Sequence, residues 1–159
     1  DAGGDATADV AQEAGLRRLL AGLESEGSLP RTVLYNLHPG DDAVFATLAG
    51  AFSRRGVRGL VQWGPPWWFN DHEEGIRRHL AALSASAPLG GFVGMVTDSR
   101  SLLSMVRHEV FRRILCDFLG RLVEEGRLPD DPTALSVVVA DVCAGNARRF
   151  LGTAPPPSS

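Results

Sequence analysis

The hydrophobic positions of the chain recur at helical spacing in five stretches, with charged residues between them. The predicted helices cover residues 9–26, 42–55, 72–87, 101–125 and 133–151. The last is the least uniform, because residues 137–139 form a β-branched run that favours a strand. We nevertheless predict a helix there, since the spacing of the apolar residues across the whole segment is helical.

Three short apolar runs, rich in β-branched or aromatic residues, lie between these helices and predict strands over residues 32–37, 59–63 and 92–96. Strands that alternate with helices, without hairpin signals, are typical of parallel sheets with helical crossovers. A complete (β/α)8 TIM barrel takes about 250 residues. The chain has 159 residues, so the sequence predicts an α/β fold of about three βα units, which is only a part of such a barrel.

A polar cluster follows the third predicted strand, where Thr97, Asp98, Ser99 and Arg100 interrupt the apolar pattern. Ligands of α/β folds lie outside the carboxyl ends of the strands, so this cluster is a candidate site. In an extended segment Asp98 and Arg100 would leave the same face. Asp98 could then bind a cation or take a proton, while Arg100 could hold an anion. Alternatively, Asp98 caps the helix predicted from Ser101, and Arg100 forms a surface ion pair.

The composition argues against several classes of function. Hydrophobic residues make up 44% of the chain, enough for a sizeable core, and the net charge of −3 offers no basic face for nucleic acid. No apolar run approaches the roughly 20 residues of a membrane-spanning helix. Cys116 and Cys143 lie far apart among apolar neighbours, which predicts buried free thiols and a cytoplasmic location.

Four longer runs carry a resemblance to a known family: LPRTVLYNLHP, WWFND, GFVGMVTDSRSLLSMVRHEVFRRILC and DVCAGNARRF. From Leu29 to Gly152 the chain resembles the C-terminal third of a uronate (glucuronate) isomerase. The resemblance implies an amidohydrolase-like (β/α)8 barrel, with the predicted strands as its sixth to eighth. It also implies the interconversion of D-glucuronate with D-fructuronate and of D-galacturonate with D-tagaturonate.

The same resemblance implies roles for three residues. Asp98 matches a carboxylate at the end of the last strand that is a metal ligand and the proton-transfer group. Arg100 matches an arginine that binds the substrate, and Trp67 matches a tryptophan that lines the sugar pocket, with Trp68 as the alternative. The implied cofactor is a divalent metal, with zinc expected. The implied partners are a small-molecule hexuronate and, for the full-length protein, further copies of itself in a homo-oligomer.

The family's other metal ligands include a His-x-His motif on the first strand, which has no match in this sequence. We therefore expect a truncated chain that neither holds zinc tightly nor catalyses alone. Residues 1–152 are expected to form the C-terminal portion of the barrel. Residues 153–159, which are rich in Pro and Ser, are expected to form a disordered tail.

Two other functions are compatible with these features. One is a metal-dependent hydrolase built on the same barrel, and the other is a non-catalytic partial barrel that acts as an interaction module or is a remnant. The charged residues around Arg107 and His108 are interpreted as a solvated or inter-helix ionic face. His72 and His79 are interpreted as ordinary surface residues of a helix, although the apolar spacing also sets His79 beside Leu80 on the inner face of that helix.

Overall fold

A computed structural model of the protein describes residues 12–52 and 59–153. Its two strands are β1 (Thr32–Leu34) and β2 (Val61–Trp63). Its six α-helices are α1 (Glu13–Ser25), α2 (Asp42–Ala51), α3 (Glu73–Ser86), α4 (Val106–Glu124), α5 (Pro132–Ala140) and α6 (Asn146–Leu151). The start of the first predicted helix, the end of the second and nearly all of the predicted tail lie outside the described residues.

The two strands pair in parallel, with Thr32 opposite Val61 and Leu34 opposite Trp63. The ladder extends beyond the strands, since the Gly64 N–H donates to the Leu34 carbonyl oxygen at 2.8 Å. Because α2 lies between β1 and β2 in the chain, this is the predicted parallel pair with a helical crossover. Within the described ranges the sheet has two strands, so the structure establishes an α/β arrangement and not a barrel.

The predicted third strand over residues 92–96 is wrong as a strand, since this segment joins no ladder among the described residues. Side chains bind its backbone instead. The amide of Gln62 donates to the Gly91 carbonyl oxygen at 3.1 Å and accepts from the Val93 N–H at 3.3 Å. Asn146 Nδ2 donates to the Phe92 carbonyl oxygen at 2.8 Å. Part of the segment's backbone hydrogen bonding is thus satisfied without a neighbouring strand.

The helix predicted over residues 101–125 begins differently from the expectation. A 3-10 turn from Leu102 to Met105 precedes α4. Ser101 caps this turn, because its hydroxyl accepts from the Leu103 N–H at 3.3 Å. The alternative in which Asp98 caps this helix is therefore wrong.

The last segment is helical, as predicted, despite its β-branched run. Asp131 accepts from the N–H groups of Thr133 and Ala134, and Pro132 occupies the first turn of α5. A π-helical turn, Asp141–Gly145, then joins α5 to α6. A strong start signal thus outweighs the strand propensity of the valines.

The hydrophobic core lies between the sheet, the extended segment and the helices. Its most deeply buried large side chains are Leu20, Val61, Leu80, Phe92, Phe111, Leu115 and Val142. Helix α2 packs against β2 and α3, α3 against α4, and α4 against α5. Of the two free cysteines, Cys143 is half-buried but Cys116 is exposed, so the prediction of burial is wrong for Cys116. Among the described helices, none is long and apolar enough to cross a membrane.

Replacing Gly94 by alanine is expected to lower the free energy of unfolding by about 2–4 kcal/mol. Gly94 has φ +82°, and a methyl group there would overlap the backbone oxygen of Val142 in the π-helical turn. The matched control is Gly120→Ala in α4, which has open space around it and should gain up to about 1 kcal/mol. Urea unfolding of both variants checks this prediction, and equal effects would contradict it.

Candidate active site

A cavity of about 300 Å³ opens where both strands and the extended segment end. Its lining residues are Tyr35, Pro65, Pro66, Trp67, Val96 and Asp98. Tyr35 follows β1 directly, and Pro65 and Pro66 come shortly after β2. The cavity therefore lies at the carboxyl ends of the parallel strands, where α/β folds bind ligands. Its walls are mostly apolar, and Asp98 is the ionisable carboxyl group among these six residues.

Asp98 sits in the left-handed region of backbone conformation, with φ 45°. The prediction that an extended backbone sends Asp98 and Arg100 to the same face is therefore wrong. Aspartate tolerates this conformation better than most residues, and such backbone strain is concentrated at functional sites. The Asp98 side chain is exposed and forms no hydrogen bond or ion pair within the described ranges. Its carboxylate is thus available to a ligand in the cavity.

Arg100 is exposed, and it is not among the residues that line the cavity. Within the part of the chain that the structure describes, its guanidinium has no ion-pair partner, so the surface ion pair considered from the sequence is not formed. The structure therefore places Asp98 and Trp67 at the same cavity. Arg100, two residues after Asp98, lies outside this cavity.

The two neighbouring tryptophans have different positions. Trp67 is half-buried and lines the cavity, whereas Trp68 is 48% exposed and does not line it. Trp68 has φ 54°, an uncommon value for a bulky residue, at the start of a 3-10 turn that runs to Asn70. The two rings remain in contact, with centroids 5.9 Å apart and planes tilted by 48°.

Tyr35 is a cavity residue that the sequence reasoning missed. Its ring meets Trp67 edge-on, with centroids 6.1 Å apart. It also lies so close to Gly64 that a methyl group there would come within 2.5 Å of the ring. The Tyr35 phenol is already protonated at neutral pH at its ordinary pKa of 10.0, and burial raises that pKa further, so the hydroxyl can donate a hydrogen bond. The sequence gave no signal for Tyr35, because the strand predicted over residues 32–37 is longer than β1 and placed Tyr35 inside it.

A buried polar network fixes the loop that follows β1. Trp63 Nε1 donates to Asn36 Oδ1 at 2.7 Å, and Asn36 Nδ2 donates to Asp42 Oδ1 at 2.7 Å. The other carboxylate oxygen of Asp42 accepts from Arg78 Nε at 2.8 Å. Asp42 thus serves this network and does not cap α2 with its side chain.

The same network reaches the loop that follows β2. Arg78 donates to Asn70 Oδ1 at 3.1 Å, and Asn70 Nδ2 donates to the Leu37 carbonyl oxygen at 3.1 Å. Asn70 therefore ties the two loops together, and His72 caps α3 by accepting from the Gly75 N–H at 3.2 Å. Tyr35 and Trp67, one from each loop, are held in place by this network.

His79 is buried beneath the cavity loops, so its interpretation as a surface residue is wrong. Its ring lies 3.9 Å from that of Trp63 and 5.1 Å from that of Phe92, measured between centroids. Nε2 lies 2.9 Å from the Gly64 carbonyl oxygen, so Nε2 carries the hydrogen, while Nδ1 has no hydrogen-bond partner. Burial lowers the pKa of His79 to about 3.

The described side chains that could bind a metal ion do not match the expected zinc site. Among residues 12–52 and 59–153, no three His, Cys, Asp or Glu side chains converge in a way that could hold a metal ion. Asp98 provides one carboxylate, whereas zinc sites use three or four protein ligands. The described residues therefore do not form a zinc site by themselves.

The two parallel strands with a helical crossover define an α/β protein. The aromatic cavity at the carboxyl ends of these strands, with a carboxylate in its lining, is typical of an enzyme active site. The chain belongs to the glucuronate isomerase family, whose profile matches residues 1–151. This agrees with the resemblance to uronate isomerases drawn from the sequence.

Two uronate isomerases with similar sequences support this assignment. The chain is 47% identical over 152 residues to the uronate isomerase of Caldanaerobacter subterraneus, which covers 96% of this chain and 33% of the relative. It is 47% identical over 151 residues to the uronate isomerase of Vibrio vulnificus, covering 95% and 32%. The chain thus spans about one-third of the length of these relatives.

Two solved structures resemble the fold. Uronate isomerase from Thermotoga maritima matches with a TM-score of 0.74 and 37% identity, over 86% of this chain and 28% of that one. Glucuronate isomerase from Caulobacter crescentus matches with a TM-score of 0.76 and 27% identity, over 94% and 29%. The described arrangement is therefore that of about one-third of a uronate isomerase.

Proposed function

We propose that this chain forms the C-terminal third of a uronate isomerase with a (β/α)8 barrel and contributes part of its active site. The reaction would interconvert D-glucuronate with D-fructuronate, and D-galacturonate with D-tagaturonate. The observation that carries the proposal is that Asp98 and Trp67 line the same cavity. Family membership supplies the reaction class.

In this proposal Asp98 moves the proton. Conversion of an aldose to a ketose breaks the C2–H bond and forms a C1–H bond, through an enediol in which C1 and C2 share the double bond. The O1 atom gains a proton and O2 loses one, so the reaction needs no oxidant. A carboxylate with no partner among the described side chains can accept the C2 proton and return it to C1.

Binding of the sugar is assigned to the groups around Asp98. Trp67 provides an apolar face for the carbon chain, since aromatic rings bury large apolar areas. Arg100 pairs with the carboxylate of the uronate, for which a guanidinium is a bidentate partner. Arg100 stands outside the cavity, so in this proposal its side chain turns inward when the substrate binds.

A divalent metal, with zinc expected, belongs to the proposal, with Asp98 as the ligand assigned to it among the described residues. The remaining ligands would have to come from outside the described residues, which do not form a metal site. The proton transfer assigned to Asp98 does not depend on it. We also propose that the complete enzyme is a cytoplasmic homo-oligomer, and the free thiols of Cys116 and Cys143 are consistent with a reducing compartment.

The proposal is tested with a chimera, in which this chain replaces the matching third of the uronate isomerase of Caldanaerobacter subterraneus. The chimera should convert D-glucuronate or D-galacturonate to the ketose, as followed by NMR, while this chain alone should not. The matched control is the relative with that third deleted. A folded chimera that forms no ketose would contradict the proposal and favour the non-catalytic interaction module.

A further inference from the structure

Arg107, in the first turn of α4, contacts two segments that border the cavity. Its guanidinium donates to the Thr97 carbonyl oxygen at 2.6 Å. The same guanidinium forms an ion pair with the carboxylate of Asp71. One side chain on a helix thus binds both a backbone oxygen and a carboxylate in two different loops.

Both partners of Arg107 lie close in the chain to residues that line the cavity. Thr97 is buried and immediately precedes Asp98, whose backbone is left-handed. Asp71 ends the 3-10 turn that follows Trp67. Arg107 therefore fixes the peptide group that carries Asp98 and, through the same guanidinium, the end of the loop that carries Trp67.

The arrangement requires the shape of an arginine side chain as well as its charge. A guanidinium presents several N–H groups in a fixed plane and can bind two acceptors at once, whereas an ammonium is a single compact charge on a flexible stem. Arg107 and Asp71 are both largely shielded, with side chains 33% and 19% exposed. Charge-assisted hydrogen bonds at such a site are strong enough to hold a loop in one conformation.

We propose that Arg107 is a positioning residue that sets the distance and angle between Asp98 and Trp67 at the cavity. This role rests on the proposed isomerase function. Its sequence context gave no such indication, because Arg107 stands among charged residues with helical spacing. Those further along α4 pair locally, as Arg112 and Arg113 do with Glu109.

The proposal predicts a loss of turnover that goes beyond a loss of stability. In the chimera, Arg107→Lys should lower kcat about 10–100-fold, because small displacements of a reacting group have effects of this size. KM should change much less. The matched control is Arg113→Lys, which alters an exposed ion pair on the same helix and should leave kcat unchanged. Added guanidinium ion should restore part of the activity of Arg107→Ala and have no effect on Arg113→Ala.

Structural readouts separate this role from a general weakening of the fold. Thermal unfolding should show Arg107→Lys folded at the assay temperature, and hydrogen exchange should show faster exchange at Asp98 and Ser99 than in the parent. Unchanged kcat with unchanged exchange would overturn the proposal. A loss of kcat that follows only the melting temperature would overturn it too. An inactive parent chimera would instead contradict the proposed function, and the exchange data would still decide whether Arg107 orders the Asp98 loop.

Discussion

Replacing Asp98 by asparagine is expected to lower the isomerase activity of the chimera by about 10²–10⁴-fold, the usual contribution of a general acid or base. Asparagine has nearly the same shape but cannot accept the proton from C2. The fold should be unaffected, because the Asp98 side chain is exposed and asparagine also tolerates a φ of 45°. The measurement is the initial rate of ketose formation together with the circular dichroism spectrum.

The matched control for this variant is Asp130→Asn, which removes a carboxylate from an exposed loop far along the chain from the cavity residues. It should retain the parent rate. Near-normal turnover by Asp98→Asn would remove Asp98 from the catalytic assignment. An unfolded Asp98→Asn variant would contradict the view that this side chain has no structural partner.

Acidification is expected to destabilise the protein through His79. The pKa of this residue is about 3 in the folded state and 6.5 when it is solvated. Below pH 6.5 the unfolded chain therefore binds a proton that the folded chain excludes, so the stability falls as the pH falls. The stability contributed by neutral His79 is fully present above pH 6.5 and should decrease by about 2–3 kcal/mol by pH 4.5.

Between pH 6.5 and 4.5 the expected change in the free energy of unfolding comes mainly from His79. It does not come mainly from the carboxylates whose pKa is lowered by arginines. Glu109 and Asp117 have ordinary values of 4.5 and 3.8, and their pKa values are lowered by hydrogen bonds to Arg112 and Arg77. Most of their effect on stability therefore lies below pH 4.5. Urea unfolding of the protein at a series of pH values measures the slope.

His79→Leu provides the comparison for this prediction. Leucine cannot titrate, so the variant should show little change in the free energy of unfolding over this pH interval, whatever its absolute stability. Parallel pH profiles for the parent and His79→Leu would show that His79 is not the group responsible.

The strands and helices that form through local pattern could be predicted from the sequence. Short apolar runs with β-branched and aromatic residues marked β1 and β2, and apolar spacing marked the helices, including the last one with its cap at Asp131. The prediction of a third strand failed, because an extended segment becomes a strand only when it pairs with a neighbouring strand, and the apolar run carries no information about such a neighbour. Here Gln62 and Asn146, distant in sequence, satisfy part of that backbone.

Some features of the candidate site could likewise be predicted from the sequence, and others could not. Asp98 follows an apolar run, and the rule for α/β folds made it a candidate site residue before its geometry was known, whereas Trp67 was assigned to the pocket through the family resemblance. The left-handed backbone at Asp98 was not predictable, since no glycine or turn motif marks it. The link from Arg107 to Asp71 and the burial of His79 between Trp63 and Phe92 are tertiary contacts. Helical spacing therefore gave no sign of the link from Arg107, although it set His79 among the inner positions of its helix.

We propose that the cavity bounded by Asp98 and Trp67 binds the uronate. A crystal structure of the Asp98→Asn chimera with D-glucuronate is the measurement to make, since the slow variant should retain the unreacted sugar. We expect the carbon chain of the sugar against the Trp67 ring, with residue 98 within hydrogen-bond distance of it. A uronate bound elsewhere, with this cavity filled only by water, would show that the cavity is not the substrate site.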